Sequence, residues 1–234
     1  QKKLIGVVAQ QLFDGEKVII DSSELSAIFK EADAQAVFAT VFPCLQEAFK
    51  ESFPEKFSQA RGDYLSAVYA NTSNLAEHSE LHRLMTEKQI PYVTLKGFAS
   101  AYYYPDASLR NMGDVDFLVY EKDFERARKA VEEIGFTPDH GIDDGIHLAF
   151  TREPLSVWEQ HREVNGLPDG EAGRLIRAAL KGVIEEARLA EMGGETCLIP
   201  SDYHHGLIML LHMAKHMKNE GIGLRHICDW AVFA

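Results

Sequence analysis

The chain has 234 residues, 46% of them hydrophobic and 26% charged, which fits one large or two small globular domains and excludes a chain dominated by disorder. Its 36 acidic and 24 basic residues leave a formal charge of −12. That surface repels phosphate backbones at long range and argues against duplex nucleic acid as a partner. No apolar run approaches the ~18 residues of a membrane-spanning helix, so no membrane partner is expected either.

In chain order, the first stretch reads as helical: Ser22 or Ser23 caps a helix with Leu25, Ile28, Phe29, Ala32, Ala36 and Val37 on its apolar side. A second helix is expected from about Tyr64 to Lys88. At Pro91 the pattern changes to a short β-prone run through Leu95, ending at Lys96-Gly97, and a short helix follows to Tyr104. After the turn signal 105–108, the run from Gly113 to Val119 reads as a strand. An amphipathic helix is expected over Lys122 to Ile134, ending at Gly135. Two strands are expected at His147 to Phe150 and Leu155 to Glu163, then a helix at 171–191 broken by Gly193-Gly194. A strand at 197–199 and helices from Ser201 to Asn219 and from Leu224 onward complete the reading. The mixture is α+β.

Cys44, Cys197 and Cys228 form no CxxC pair or disulfide framework, so a reducing, cytoplasmic compartment is expected. The first residues lack the apolar core of a signal peptide. The chain begins at Gln1 without an initiator Met and stops inside an apolar helix, so trimming is expected at either end.

The chemistry concentrates at Arg110-Asn111-Met112-Gly113-Asp114-Val115-Asp116. On a strand, Asp114 and Asp116 share one face, ~6–7 Å apart. Two carboxylates that close repel unless a cation sits between them, and Mg²⁺ or Mn²⁺ suits oxygen ligands. The alternative is a polar strand start in which the acids cap or pair with Arg110. Glu159 is the candidate third carboxylate, with Glu163, on the same expected strand face, as its rival. His161, two residues beyond Glu159, either orients that carboxylate, touches substrate or forms a pocket wall. His212 and His216 lie one helical turn apart. That spacing occurs in zinc sites, but the glutamate of a metalloprotease motif is missing. A helical wall over the site, with Lys215 and Lys218 near phosphate, is the favoured reading. Arg225 and Asp229 read as a helix-surface ion pair, and Tyr102-Tyr103-Tyr104 as either a base-stacking face or buried packing.

Together, LKG at 95–97, a tyrosine-rich short helix, R-x-x-G-D-x-D-F-L-V at 110–119, an amphipathic helix ending in Gly-Phe, and a later E-x-H resemble the uncharacterised nucleotidyltransferase family of the DNA polymerase beta superfamily. His212-x-x-x-His216 and the segment 224–229 are similar to its C-terminal helical part. The resemblance covers roughly residues 75–234. It implies a small mixed sheet flanked by helices, with a helical N-terminal region at 1–75, a catalytic core at 76–165 and a helical C-terminal region at 166–234. It also implies metal-dependent transfer of a nucleoside monophosphate from a triphosphate such as ATP to a small-molecule or protein acceptor, with pyrophosphate release. Asp114, Asp116 and Glu159 would hold the cations, and Glu159 would help to activate the acceptor. Lys96, Gly97, Arg110 and Gly113 would meet the nucleotide, and His161, His212, Lys215 and His216 are substrate contacts. The superfamily's usual Gly-Ser is replaced here by Lys96-Gly97, so a phosphate-binding hydroxyl is missing. Lys96 either supplies charge to phosphate or leaves the strand end into water. Arg110 either neutralises the triphosphate or pairs with Asp114 or Asp116. A non-catalytic nucleotide- or partner-binding module on the same fold is the alternative function. The sequence sets no oligomeric state.

Overall fold

The computed structural model describes residues 1–139, 145–219 and 221–234. In chain order the elements are α1 (Lys2–Phe13), α2 (Ser22–Ala34), α3 (Phe38–Ser52), α4 (Pro54–Glu87), β1 (Tyr92–Thr94), α5 (Phe98–Ala101), β2 (Val115–Val119), α6 (Phe124–Glu133) and β3 (Thr137–Asp139). Then follow β4 (His147–Thr151), β5 (Trp158–His161), α7 (Gly170–Ala179), β6 (Arg188–Met192), β7 (Glu195–Ile199), α8 (Asp202–Asn219) and α9 (Leu224–Phe233). The residues divide into two compact units: 1–72 with 103–111 and 222–234, and 73–102 with 112–221.

The first unit is helical. Leu4, Val8, Leu25, Phe29, Phe42, Leu45 and Phe49 share one apolar cluster with Tyr104 and Cys228, which ties α9 and the 103–111 segment to α1–α3. The N-cap of α2 is Asp21 rather than Ser22 or Ser23. Its backbone N–H donates to Glu24 three residues on, at 3.1 Å.

The second unit is α+β. Its main sheet has the order β1-β2-β5-β4-β3, with β2 and β5 parallel and the other neighbours antiparallel. Val93, Leu95 and Leu118 pack with Ile208 and Leu211 of α8 and with Leu180 and Val183, so helices seal part of one sheet face. Elsewhere in the unit Phe117, Phe136 and Trp158 form an aromatic group, and Trp158 Nε1 donates to Glu77 at 3.0 Å.

Two expectations need correction. The helix read over 171–191 ends at Ala179, and 188–192 is β6 of a two-stranded hairpin with β7. The turn residues Gly193 and Gly194 have φ of 57° and 83°. That is the positive-φ pair a two-residue hairpin turn requires, and it closes a hairpin instead of breaking a helix. The second expected strand is shorter than read: β5 ends at His161, so Glu163 lies beyond the sheet.

Candidate active site

Three features of the sequence build the site. Val115, Phe117, Leu118 and Val119 make β2 a buried strand inside the sheet, which leaves Asp114 at its mouth and Asp116 on it. The parallel register places Asp116 opposite Glu159 and Leu118 opposite His161. Residues opposed in register share a sheet face, so Asp116, Glu159 and His161 converge. Gly97 then ends the β1 connection at φ 47°, ψ −103°. A Cβ there would lie 3.2 Å from the His78 ring, so this bend, which sets the exit of Lys96, requires glycine.

The polar contacts centre on Asp116, whose side chain is 3% exposed. Its Oδ1 accepts from Lys96 Nζ at 2.8 Å and from His161 Nε2 at 2.9 Å. His161 Nε2 also lies 3.4 Å from Glu159 Oε2. Facing two carboxylates, that nitrogen carries the ring proton. The ring of His147, opposite His161 in the antiparallel β4–β5 register, stacks on it at 5.2 Å.

Charge follows this geometry. Burial alone would raise the Asp116 carboxyl, but the Lys96 charge and the His161 hydrogen bond hold it well below the carboxylate range. Asp114 goes the other way: desolvation, then the Asp116 charge, push it up, and Lys96 offsets this only in part. Burial would lower Lys96, yet Asp116, with Asp114 and Glu159, raises it. His161 is likewise raised, its desolvation outweighed by Asp116 and Glu159.

These groups border a cavity of about 220 Å³ lined by Lys96, Asp114, Glu159 and His161 from the sheet side and by His212, Lys215 and His216 from α8. Of the two lysines expected on this helix, Lys215 lines the cavity and Lys218 does not. His147 and Asn165 also line the cavity. The sequence pattern did not mark them, because only the β4–β5 register brings His147 to this face. Glu163 is held by Arg177, with Oε2 accepting at 3.1 Å. Gly113 has open space where a side chain would stand.

Arg110 is engaged in the first unit. Its Nε and Nη2 donate to the two carboxylate oxygens of Asp229 at 2.9 and 2.8 Å, and Tyr104 donates to the same carboxylate at 2.8 Å. Asp229 is thus buried and held chiefly by Arg110, with the Arg225 charge a smaller contribution, rather than lying on a helix surface. Arg225 donates to the Asn111 carbonyl at 3.3 Å. The tyrosine run serves packing: Tyr103 meets Phe233 edge-on at 5.0 Å, and the Arg188 guanidinium lies 4.7 Å from the Tyr102 ring.

The donor set fits a hard divalent cation. Carboxylate oxygens of Asp116 and Glu159 lie within 4.8 Å of each other and of a His161 ring nitrogen, Asp114 lines the adjoining cavity with Glu159, and Lys96 and Lys215 are the lysines of that lining. Such charge suits a phosphoryl-transfer enzyme, in which cations meet the charge developing on phosphate oxygens. The chain belongs to the uncharacterised nucleotidyltransferase family, whose profile matches residues 21–234; it is a nucleotidyltransferase. Among solved structures, the lincomycin-bound lincosamide antibiotic adenylyltransferase LnuA is similar with a TM-score of 0.41 and 10% identity, over 64% of this chain and 90% of that one. No curated protein matches the chain. Among the described residues, no helix is long and apolar enough to cross a membrane.

Proposed function

We propose that this protein moves a nucleoside monophosphate from a nucleoside triphosphate such as ATP to a small-molecule or protein acceptor, in a reaction that depends on Mg²⁺ or Mn²⁺ and releases pyrophosphate. The observation that carries this reading is the β2–β5 register, which sets Asp116 opposite Glu159 beside a cavity that Asp114 also lines. In this account the catalytic core expected at 76–165 lies in the second unit, apart from 103–111, and α8 supplies the facing wall.

Asp114, Asp116 and Glu159 hold the cation. When bound, it supplies Lewis acidity at the phosphoryl oxygens and lowers the acceptor's pKa. The acceptor oxygen bonds to the α-phosphorus, the bond from that phosphorus to the β-phosphate's bridging oxygen breaks, and pyrophosphate leaves with the electron pair. The acceptor's proton passes to a carboxylate, for which Glu159 is placed. His161 positions Asp116 and Glu159 through its Nε2–H. Gly97, with no Cβ, and Gly113, with open space beside it, let the phosphates approach the backbone. Lys96, His212, Lys215 and His216 are the cationic and polar groups available to the phosphate tail and the acceptor.

The test is pyrophosphate release by the full chain with Mg²⁺ or Mn²⁺, each nucleoside triphosphate in turn, and a panel of hydroxyl- and amine-bearing acceptors. Acceptor-dependent release that Asp114→Asn and Asp116→Asn both abolish is expected. Nucleotide binding without release across the panel would contradict the enzyme reading and favour a non-catalytic binding module.

A further inference from the structure

The two strands that carry the carboxylates are gripped where they begin. Asn74 and Glu77 stand about one turn apart on α4, in the part of that helix that belongs to the second unit, and both are buried. The Asn74 amide nitrogen donates to the Gly113 carbonyl at 2.8 Å and to Ser156 Oγ at 3.1 Å. Gly113 immediately precedes Asp114, and Ser156 lies shortly before Glu159, so one amide group ties the two strand mouths together. The Ser156 hydroxyl donates onward to Glu77 Oε1 at 3.1 Å, and the Ser156 N–H meets both Glu77 oxygens at 3.2 and 3.1 Å. Trp158 Nε1 donates to Glu77 Oε2 at 3.0 Å. Each of these partners is a donor, which calls for the acceptor-only side chain that an ionised carboxylate provides. Successive strand residues face opposite sides of a sheet, so Glu77 holds Trp158 from the face away from Glu159. Neither Asn74 nor Glu77 is among the described residues that line the cavity.

We infer that Asn74 and Glu77 are positioning residues, whose hydrogen-bond chain through Ser156 sets the separation of Asp114 from Glu159 and with it the affinity of the centre for its cation. This rests on the functional reading above and extends it to residues outside the cavity. Asp114 needs such support because it lies before β2, off the strand ladder. The backbone bond from Val115 N to the Val157 carbonyl, 2.9 Å long, ties the strands one residue further in. The Gly113 carbonyl shares a planar peptide with the Asp114 nitrogen, so the Asn74 bond fixes the peptide from which the Asp114 side chain departs. On the other strand, Glu77 fixes the backbone at Ser156 and the indole of Trp158, the residue before Glu159. A cation held between two carboxylates is sensitive to their spacing, and spacing is what these bonds control.

The probe is Mn²⁺ alone, titrated by electron paramagnetic resonance into the full chain without nucleotide, with urea unfolding of each protein alongside. Wild type is expected to bind Mn²⁺ and Asp114→Asn to lose it. Asn74→Ala and Glu77→Gln are expected to weaken binding by about 10–100-fold, the range for losing a group that orients metal ligands. Tyr92→Phe is the stability control. It removes a hydroxyl bonded to His82 and to the Leu198 N–H in the same unit, so it too lowers stability, but it is expected to bind Mn²⁺ as wild type does. Circular dichroism confirms folding. If neither helix variant folds, Ser156→Ala decides, since it removes the shared hydroxyl alone, and a several-fold loss is expected. Wild-type affinity in either folded helix variant, or in Ser156→Ala where it decides, would overturn the inference and leave the functional reading standing, as would an equal loss in Tyr92→Phe. No Mn²⁺ on wild type would overturn both.

Discussion

Arg110 offers the sharpest quantitative test, because sequence and structure give it different work. Its guanidinium makes two bonds to Asp229, of 2.9 and 2.8 Å, and Tyr104 adds a third at 2.8 Å. The side chains of the ion pair are 7% and 10% exposed. Removing one partner of a buried pair strands the other charge and costs about 3–5 kcal/mol. Tyr104→Phe removes one hydrogen bond to a charged acceptor, worth about 1.5–3 kcal/mol. Arg110→Ala and Asp229→Ala should therefore each destabilise the protein by about 3–5 kcal/mol, and the double variant by much less than their sum. The assay is urea unfolding followed by circular dichroism. Burial would raise the Asp229 carboxyl, but Arg110 and Tyr104 hold it below its ordinary value. A carboxyl depressed in the folded state stabilises above its unfolded value of about 3.9 and loses that contribution as pH falls through the folded value. The gap between wild type and Asp229→Ala should thus be full at pH 7 and close on acidification. Additive losses, or an Arg110→Ala protein of wild-type stability that has lost triphosphate binding, would refute this assignment.

Glu159→Gln should lower the rate of nucleotidyl transfer by about 10²–10⁴-fold, the range for losing a positioned proton acceptor. Glu163→Gln should stay within a few-fold of wild type, because its partner is Arg177; steady-state kinetics on the two variants decides between them. Gly97→Ala should cost about 1–3 kcal/mol of stability from backbone strain and crowding against His78, read as a fall in thermal midpoint with the His78→Ala background relieving only the crowding. Cys197 and Cys228 are buried and their thiols pushed up to about 12. Mass spectrometry after iodoacetamide should therefore find both unmodified in the native protein and labelled in urea.

The carboxylate centre was half legible in the sequence. Asp114 and Asp116 stand out because strand periodicity puts them on one face and the apolar continuation marks a buried strand. Choosing Glu159 over Glu163 needed the length of β5, which ends at His161. The Lys96–Asp116 contact depends on the bend at Gly97 and on strand pairing, neither of which local pattern specifies. The Arg110–Asp229 pair spans 119 positions, beyond any periodic signal. The misread helix has a local cause: the apolar spacing of Ile176, Leu180, Val183 and Ile184 continues the pattern of α7. The alternation in 188–192 is too short to override it until Gly193-Gly194 is recognised as a hairpin turn.

The central claim is that Asp114, Asp116 and Glu159 form one cation-dependent transfer centre. Anomalous diffraction from a crystal of the full chain grown with Mn²⁺ and a non-hydrolysable nucleoside triphosphate tests it most directly. The account predicts manganese bounded by these three carboxylates, with the α-phosphate beside it. Manganese on His212 and His216 with the carboxylates bare, or a triphosphate bound away from the cavity, would contradict it.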